Sequence, residues 1–244
     1  MGELKRTRVA LSPEMFSFGN EHRTPGIHLT DIVHDMLEQA GIAKKYKLEA
    51  EGGFTQADLD AFALQGFLWE EVFSDQIATI VLKRNNQYVR IGEIACPMTS
   101  DDGQAFIVEY DAKGNLLTPI PPRHIIMTVD ALRIEPAPNN RVSLAEFKWT
   151  TKSAKMNPED SRPDWFYQVK GYLKGVKELL GRRIERVEWH VQFACGERWG
   201  TAPIYAPWER EYSERDIEDC WESLVGHTER RVLDDPAHRW AQYL

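Results

Sequence analysis

Cysteine is scarce. The 244-residue chain has three, Cys96, Cys195 and Cys220, far apart and with no C-x-x-C pair. That argues against a disulfide framework, a thiolate zinc site and a four-cysteine iron–sulfur cluster, and it is the usage expected of a reduced, cytoplasmic protein. Long apolar runs are missing too: none approaches the ~20 residues of a membrane span, so no membrane partner is expected. The first residues, MGELKRTRVALSPE, are charged and lack an apolar core, so no secretion signal is expected there. Positive charge is in deficit, with 30 Lys plus Arg against 38 Asp plus Glu and a net charge of −8. A passive coat on nucleic acid is normally basic, so the balance argues against one. It leaves room for an enzyme with a local basic groove. Internal repeats and low-complexity tracts are absent. What is present is 42% hydrophobic residues with eight Trp, enough to bury a core, on a length that suits one domain.

Periodicity and punctuation give an alternating order of elements. A helix starts near Thr30, with Thr30 as cap, Asp31 in the first turn, an Ile32/Val33/Met36/Leu37 stripe and Gly41 as terminator. A second helix spans about Thr55 to Thr79. Its broad face carries Leu59, Phe62, Gly66, Phe67, Glu70, Phe73 and Ile77, apolar except for Glu70. Strands are expected at Gln87–Ile94, at Ala105–Tyr110 and Asn115–Leu117 about a turn, at His124–Ile134, and at Arg141–Thr150 after the Pro136–Asn140 turn. A polar loop over Lys152–Ser161 leads to a helix from Pro163 to Leu180 closed by Gly181. Then come a strand at Arg186–Cys195, an edge strand at Ile204–Trp208, and a helix from the Ser213 cap through Val225. Hairpins mixed with a crossover helix predict an α/β fold, a central mixed β-sheet flanked by helices. One domain is expected over 1–244: core motifs at about 55–195, an N-terminal helical segment at 1–54, and a C-terminal edge strand and helix at 196–244.

Two adjacent strands place acids where apolar residues would serve a core better. Asp130 sits within IIMTVDALRI, and Glu146 and Lys148 within SLAEFKW, two apart and so on one strand face. The short turn between the strands lets that face include Asp130. Carboxylates aimed at one spot repel unless a cation lies between them, and oxygen donors of this kind suit Mg²⁺ or Mn²⁺. A lysine alongside can position water or stabilise charge on a phosphate. Cross-strand ion pairing draws on the same residues. Gly66 lies one turn before Glu70 on the same face, where its missing side chain leaves room; which of Glu70 and its neighbour Glu71 points inward stays open. Gln168 and Tyr172 are four apart on the Pro163–Leu180 helix and share a face, either holding something polar or placed at a solvent edge and in the core.

Taken in order, G-x-x-x-E (Gly66 to Glu70), T-V-D-A (Thr128 to Ala131), E-F-K (Glu146 to Lys148) and Q-x-x-x-Y (Gln168 to Tyr172) resemble the PD-(D/E)XK nuclease superfamily. The likeness is to its lambda-exonuclease and YqaJ-type phage branch and to RecB-type nuclease domains, over about residues 23 to 195. The resemblance implies a restriction-endonuclease-like core. It makes Asp130, Glu146 and the Phe147 backbone carbonyl ligands of one Mg²⁺ or Mn²⁺ ion, has Lys148 orient the attacking water, and gives Glu70 to a second ion. Gln168 and Tyr172 would support the site and contact DNA. Where the family often has Pro-Asp-Gly this chain has Val129-Asp130-Ala131, which alters the turn and keeps the acid. Ser100 to Gly103 (S-D-D-G) has no Glu-x-Lys close behind it and is read as a turn. The same likeness pairs Arg23 with Thr30 as a holder of the terminal DNA phosphate; an ordinary cap and a surface arginine stand beside that reading.

Basic residues cluster nearby: Lys148, Lys152, Lys155 and Arg162, then Lys170 and Lys174. As phosphate contacts they would carry salt-dependent affinity, and about half of them are expected to be plain solvated surface. Lys5, Arg6 and Arg8 are read as an arm or a frayed terminus, and His190 as packed or edge-exposed rather than a ligand. The function expected from all this is a metal-dependent deoxyribonuclease, an exonuclease on linear duplex DNA in phage-type recombination. The alternatives are a structure-specific or nicking endonuclease of the same fold and an inactive DNA- or protein-binding relative. Expected partners are duplex DNA with free ends, a single-strand annealing protein and further copies of the chain. The expected location is the cytoplasm, the host's if phage-encoded.

Overall fold

A computed structural model describes residues 23–42, 65, 69, 82–84, 87–150, 152–155, 157–198 and 201–244. In chain order the elements are β1 (Ile27–His28), α1 (Leu29–Gln39), β2 (Tyr88–Val89), β3 (Gly92–Pro97), β4 (Phe106–Ile107), β5 (His124–Val129), β6 (Ala131–Ile134), β7 (Val142–Thr150), α2 (Pro163–Leu180), β8 (Arg186–Phe193), β9 (Ile204–Glu211) and α3 (Glu214–Asp234). Single helical turns lie at Ser100–Asp102, Pro158–Ser161 and Ala241–Tyr243.

The α/β class holds. Where one central sheet was expected, the described strands form two mixed sheets, β1-β5-β3-β4 and β2-β6-β7-β8-β9. The division falls inside the run HIIMTVDALRI. Val129 ends β5 and Ala131 starts β6, with Asp130 alone between them. On one side of this run, β2 and β3 lie antiparallel in a single register, Tyr88 opposite Arg133 and Gly92 opposite Val129. On its other side the neighbours part. β7 pairs with β6 back to Ala131 opposite Ala145, whereas β5 is lined by the short parallel strand β1. The face turned to the main core switches here as well: Ile125, Met127 and Val129 belong to it in β5, Leu132 in β6. Asp130 therefore stands at a fork between β5 and β7.

Beyond the fork β7 runs parallel to β8, the two joined by α2, as parallel pairing requires a crossover. α1, α2 and α3 contribute to one large core with the facing side of the sheets. Two glycines seat α2 closely. A Cβ on Gly171 would come 2.7 Å from Leu29 Cδ2, and one on Gly175 would meet the Met127 sulfur. A smaller cluster on the other side of β6 to β8 holds Trp69, Ala131, Ala145 and Phe147.

Several bounds differ from expectation for local reasons. The α1 N-cap is His28, two residues before the expected Thr30, with no side-chain cap bond, and the Thr30 hydroxyl accepts from Arg23 instead. Gly41 adopts φ +70° just past α1, as expected. The Gln87–Ile94 strand is interrupted at Arg90–Ile91, opposite the fork. The polar loop contains the turn Pro158–Ser161, capped by Asn157, and α3 runs on to Asp234 from the expected Ser213 cap, which forms a capping box with Asp216. Ser100–Asp102 is a turn, as read. The expected helix over 55–79, with Gly66, Glu70 and Glu71, lies outside the described residues apart from helical Gln65 and Trp69, as does the Lys5–Arg8 run. No helix among the described residues is long and apolar enough to cross a membrane.

Candidate active site

One further step of the β6–β7 register sets Asp130 opposite Glu146. The Phe147 N–H donates to Asp130 Oδ2 at 2.8 Å, so the backbone next to Glu146 fixes the Asp130 carboxyl. Lys148, two residues along the same face, forms an ion pair with Glu146 Oε1. The Glu146 side chain is 0% exposed and that of Lys148 18%. Three of the residues read from the sequence thus meet at the fork.

Their charges are set by mutual proximity. Burial pushes the Asp130 pKa up, against the pull of Lys148, the Phe147 N–H and Arg90, and the net direction is upward. Burial works against the Lys148 charge as well, but the Glu146 and Asp130 carboxylates, with Tyr172 nearby, outweigh it and raise its pKa above the ordinary lysine range. Lys148 is therefore an ammonium group at neutral pH.

A cavity of about 270 Å³ opens beside the fork. Thr128 of β5, two residues before Asp130, and Tyr172 of α2 line it, together with Arg23, His28, Thr30, Glu93, Ile126 and Met127. Arg23 spans both oxygens of Asp31 at 3.1 Å each and donates to Thr30 Oγ1 at 3.3 Å. The expected Arg23–Thr30 pair is thus formed, on the wall of this cavity.

No protein-family model and no curated protein matches the chain. Among solved structures it is similar to one described as "Crystal structure of SSO0001", at 16% identity and a TM-score of 0.43, over 93% of this chain and 84% of that one. At that score the likeness is loose and says nothing about chemistry.

The other expected residues fall into place unevenly. Gln168 and Tyr172 are both buried, which removes the solvent-edge alternative for Gln168. Lys152 is exposed, and its backbone N–H bonds to Thr150 Oγ1. Half of the supposed basic strip is engaged elsewhere. Lys174 pairs with Glu178 along α2 and with Glu218 of α3, Lys155 with Glu197, and Arg162 with Asp164. His190 is packed, as expected, at 0% exposure. Two cavity residues were not anticipated. His28 bonds to the Thr24 carbonyl at 2.7 Å, and burial lowers its pKa. Glu93 Oε2 accepts from Tyr110 at 2.8 Å. Neither lies in a recognisable spacing; only their polar character within β-rich or capping positions hinted at them.

The oxygen donors at the fork suit a small hard cation. Mg²⁺ is held through one or two carboxylates and keeps several waters, and Asp130 and Glu146 supply two carboxylates. Among the described residues no group of three or more His, Cys, Asp or Glu converges.

Proposed function

We propose that the chain is a Mg²⁺- or Mn²⁺-dependent deoxyribonuclease of the PD-(D/E)XK type with a restriction-endonuclease-like core, working as an exonuclease on duplex ends. The observation that carries this reading is the meeting of Asp130, Glu146 and Lys148 at the strand fork, next to a cavity walled by Arg23, Thr30 and Tyr172.

Asp130 and Glu146, with the Phe147 carbonyl, are the groups that would hold one ion, and Glu70 is the candidate for a second. A bound ion of this kind polarises the phosphate and lowers the pKa of water. Lys148, paired with Glu146, would orient a water and offset charge developing on the phosphate. The Phe147 N–H holds Asp130 in line. Arg23 and Thr30 bind a phosphate at the cavity, Tyr172 lines it, and buried Gln168 supports the site from the same helix face.

The test uses end-labelled linear duplex and covalently closed DNA in parallel, with Mg²⁺ and with EDTA. Linear DNA should be degraded only with metal and closed DNA left intact. Asp130→Ala and Lys148→Ala should each abolish the reaction; full activity in both would overturn the assignment. Cleavage of closed DNA would mark a nicking or structure-specific endonuclease, and metal-independent binding without cleavage an inactive relative. Duplex ends, an annealing protein, further copies of the chain and a cytoplasmic setting in phage recombination belong to the same proposal.

A further inference from the structure

A second cavity, of about 500 Å³, lies along β9 at the edge of the larger sheet. β7, β8 and β9 set Glu146, Trp189 and Trp208 side by side in register, so Trp208 points to the sheet face that carries Glu146. Two strand spacings, about 10 Å, separate them. Trp208, Phe166 and Phe193 give this cavity aromatic walls. The Trp208 ring is nearly parallel to that of Trp189, 16° apart with centroids at 5.9 Å. Trp189 in turn stacks on Trp165 at 28° and 6.4 Å. Three indoles are thus held flat against one another, and the outermost lines the cavity. The three charged residues on the wall are already paired. Arg210 forms an ion pair with Glu159, and its guanidinium lies 5.5 Å from the Phe166 ring and 5.2 Å from the Tyr212 ring. Glu209 is taken up by Arg186 at 2.9 Å. No surplus cation on this wall is left to hold a phosphate, whereas the Glu159 carboxylate has lone pairs to spare for an N–H donor.

We propose that this cavity binds one unpaired nucleobase of the DNA strand, stacked against Trp208. A base is a flat, uncharged ring with N–H donors on its edge. It suits aromatic walls, needs no surplus positive charge, and offers donors to Glu159. Every base has a face to stack, so the contact is tolerant of sequence. An apolar side chain of a protein partner would fill the same walls but make no use of the Glu159 acceptor. The inference rests on the nuclease reading for the ring being a base of DNA. On that reading a phosphate of the same strand sits at the fork, and a base drawn from a pair opened at the duplex end reaches Trp208 along the shared sheet face.

Binding tests it apart from cleavage. Asp130→Asn protein with Mg²⁺ would be titrated with single-stranded oligothymidylates that carry 2-aminopurine at each position in turn. Stacking on an indole quenches this fluorophore, so one position should be quenched and its neighbours much less. Adding Trp208→Ala should remove that quench and weaken binding about tenfold, and Trp208→Phe should keep part of both. Ala206→Leu narrows the cavity beside Trp208 while keeping the indole stack, and should give the same loss as Trp208→Ala. Melting curves would show which variants are folded. An abasic residue at the quenched position should bind about tenfold more weakly and lose little further affinity with Trp208→Ala. No quench at any position, as a cavity built for an apolar side chain would give, overturns the inference. So does a quench that survives both Trp208→Ala and Ala206→Leu. If the base binds through Trp208 but the unsubstituted protein never cleaves DNA with metal, the nuclease reading fails and the base site stands. If DNA is cleaved and no base contacts Trp208, the base site alone fails.

Discussion

A carboxylate with no solvent exposure survives in a core only if positive charge stands against it, and at Glu146 that charge is Lys148. Lys148→Met should therefore destabilise the protein by about 3 kcal/mol or more, because it strips the ammonium from a buried anion. The double substitution Glu146→Gln/Lys148→Met should recover most of that loss, a coupling measurable by urea denaturation. Additive losses would mean that Glu146 does not depend on Lys148. His190, behind β7, poses the opposite problem. Its Nδ1 is 2.8 Å from the Tyr205 hydroxyl and its Nε2 3.1 Å from Glu188, while Phe147 packs at 5.3 Å. Burial first, then the Arg84 and Arg133 charges, push its pKa down to about 3. Glu188 is itself tied to both arginines. The folded state thus holds a neutral imidazole, whereas the unfolded chain takes up a proton below about pH 6.5. The resulting stability is complete above that pH and drains as pH falls toward 3, by up to ~1.4 kcal/mol per unit. His190→Gln should flatten the slope between pH 6 and 4 in pH-dependent melts; an unchanged slope would place the titration elsewhere.

At the scale of elements, the site depends on how α2 lies against α1 and β5. Gly171 and Gly175 let it approach, the first against Leu29 and the second against Met127. Gly171→Val should lower stability by about 2–3 kcal/mol through overpacking, well beyond the ~1 kcal/mol or less of helix propensity it gains. An equal or higher Tm would show that Leu29 yields freely. α2 is also where sequence and structure coincide best. Pro163 at the first turn, a clean apolar stripe and Gly181 at φ +61° specify both ends. Local signals of that sort are written in consecutive residues. The fork is not. Val129 ends one strand and Ala131 starts the next, and what changes at Asp130 is the identity of the neighbouring strand, a property of residues far along the chain. The acids and the lysine were legible because charged residues inside β-rich runs stand out. His28 and Glu93 were not, since their role comes from β1, β3 and α2 meeting in space. Thr30 shows the remaining difficulty. A threonine at a helix start is a cap by default, and only the fold reveals that Arg23 claims its hydroxyl.

For the whole molecule, the placement of charge decides how it can hold DNA. Of the α2 lysines in the expected strip, Lys174 is spent on Glu178 of α2 and Glu218 of α3, and its neighbour Lys177 on Glu214 and Glu218 of α3. Arg186 is likewise taken up by Glu209 and Glu211 on the neighbouring strand. Among the described residues, Arg23 lines the cavity, and Lys148 and Arg90 act on Asp130 at the fork. Under the proposed nuclease reading, charge placed this way among the described residues favours gripping an end over a length of duplex. Each neutralised phosphate contributes about −0.9 to the slope of log K against log salt, so two or three contacts predict a slope of ~−2 to −3 for the Asp130→Asn protein on a short end-bearing duplex. Affinity should follow the number of ends and change little as the duplex is lengthened, and covalently closed DNA should compete poorly per base pair. A slope of about −6 or steeper, or affinity that climbs with length, would require an extended basic track along the duplex and would shift the centre of binding away from the Arg23 cavity.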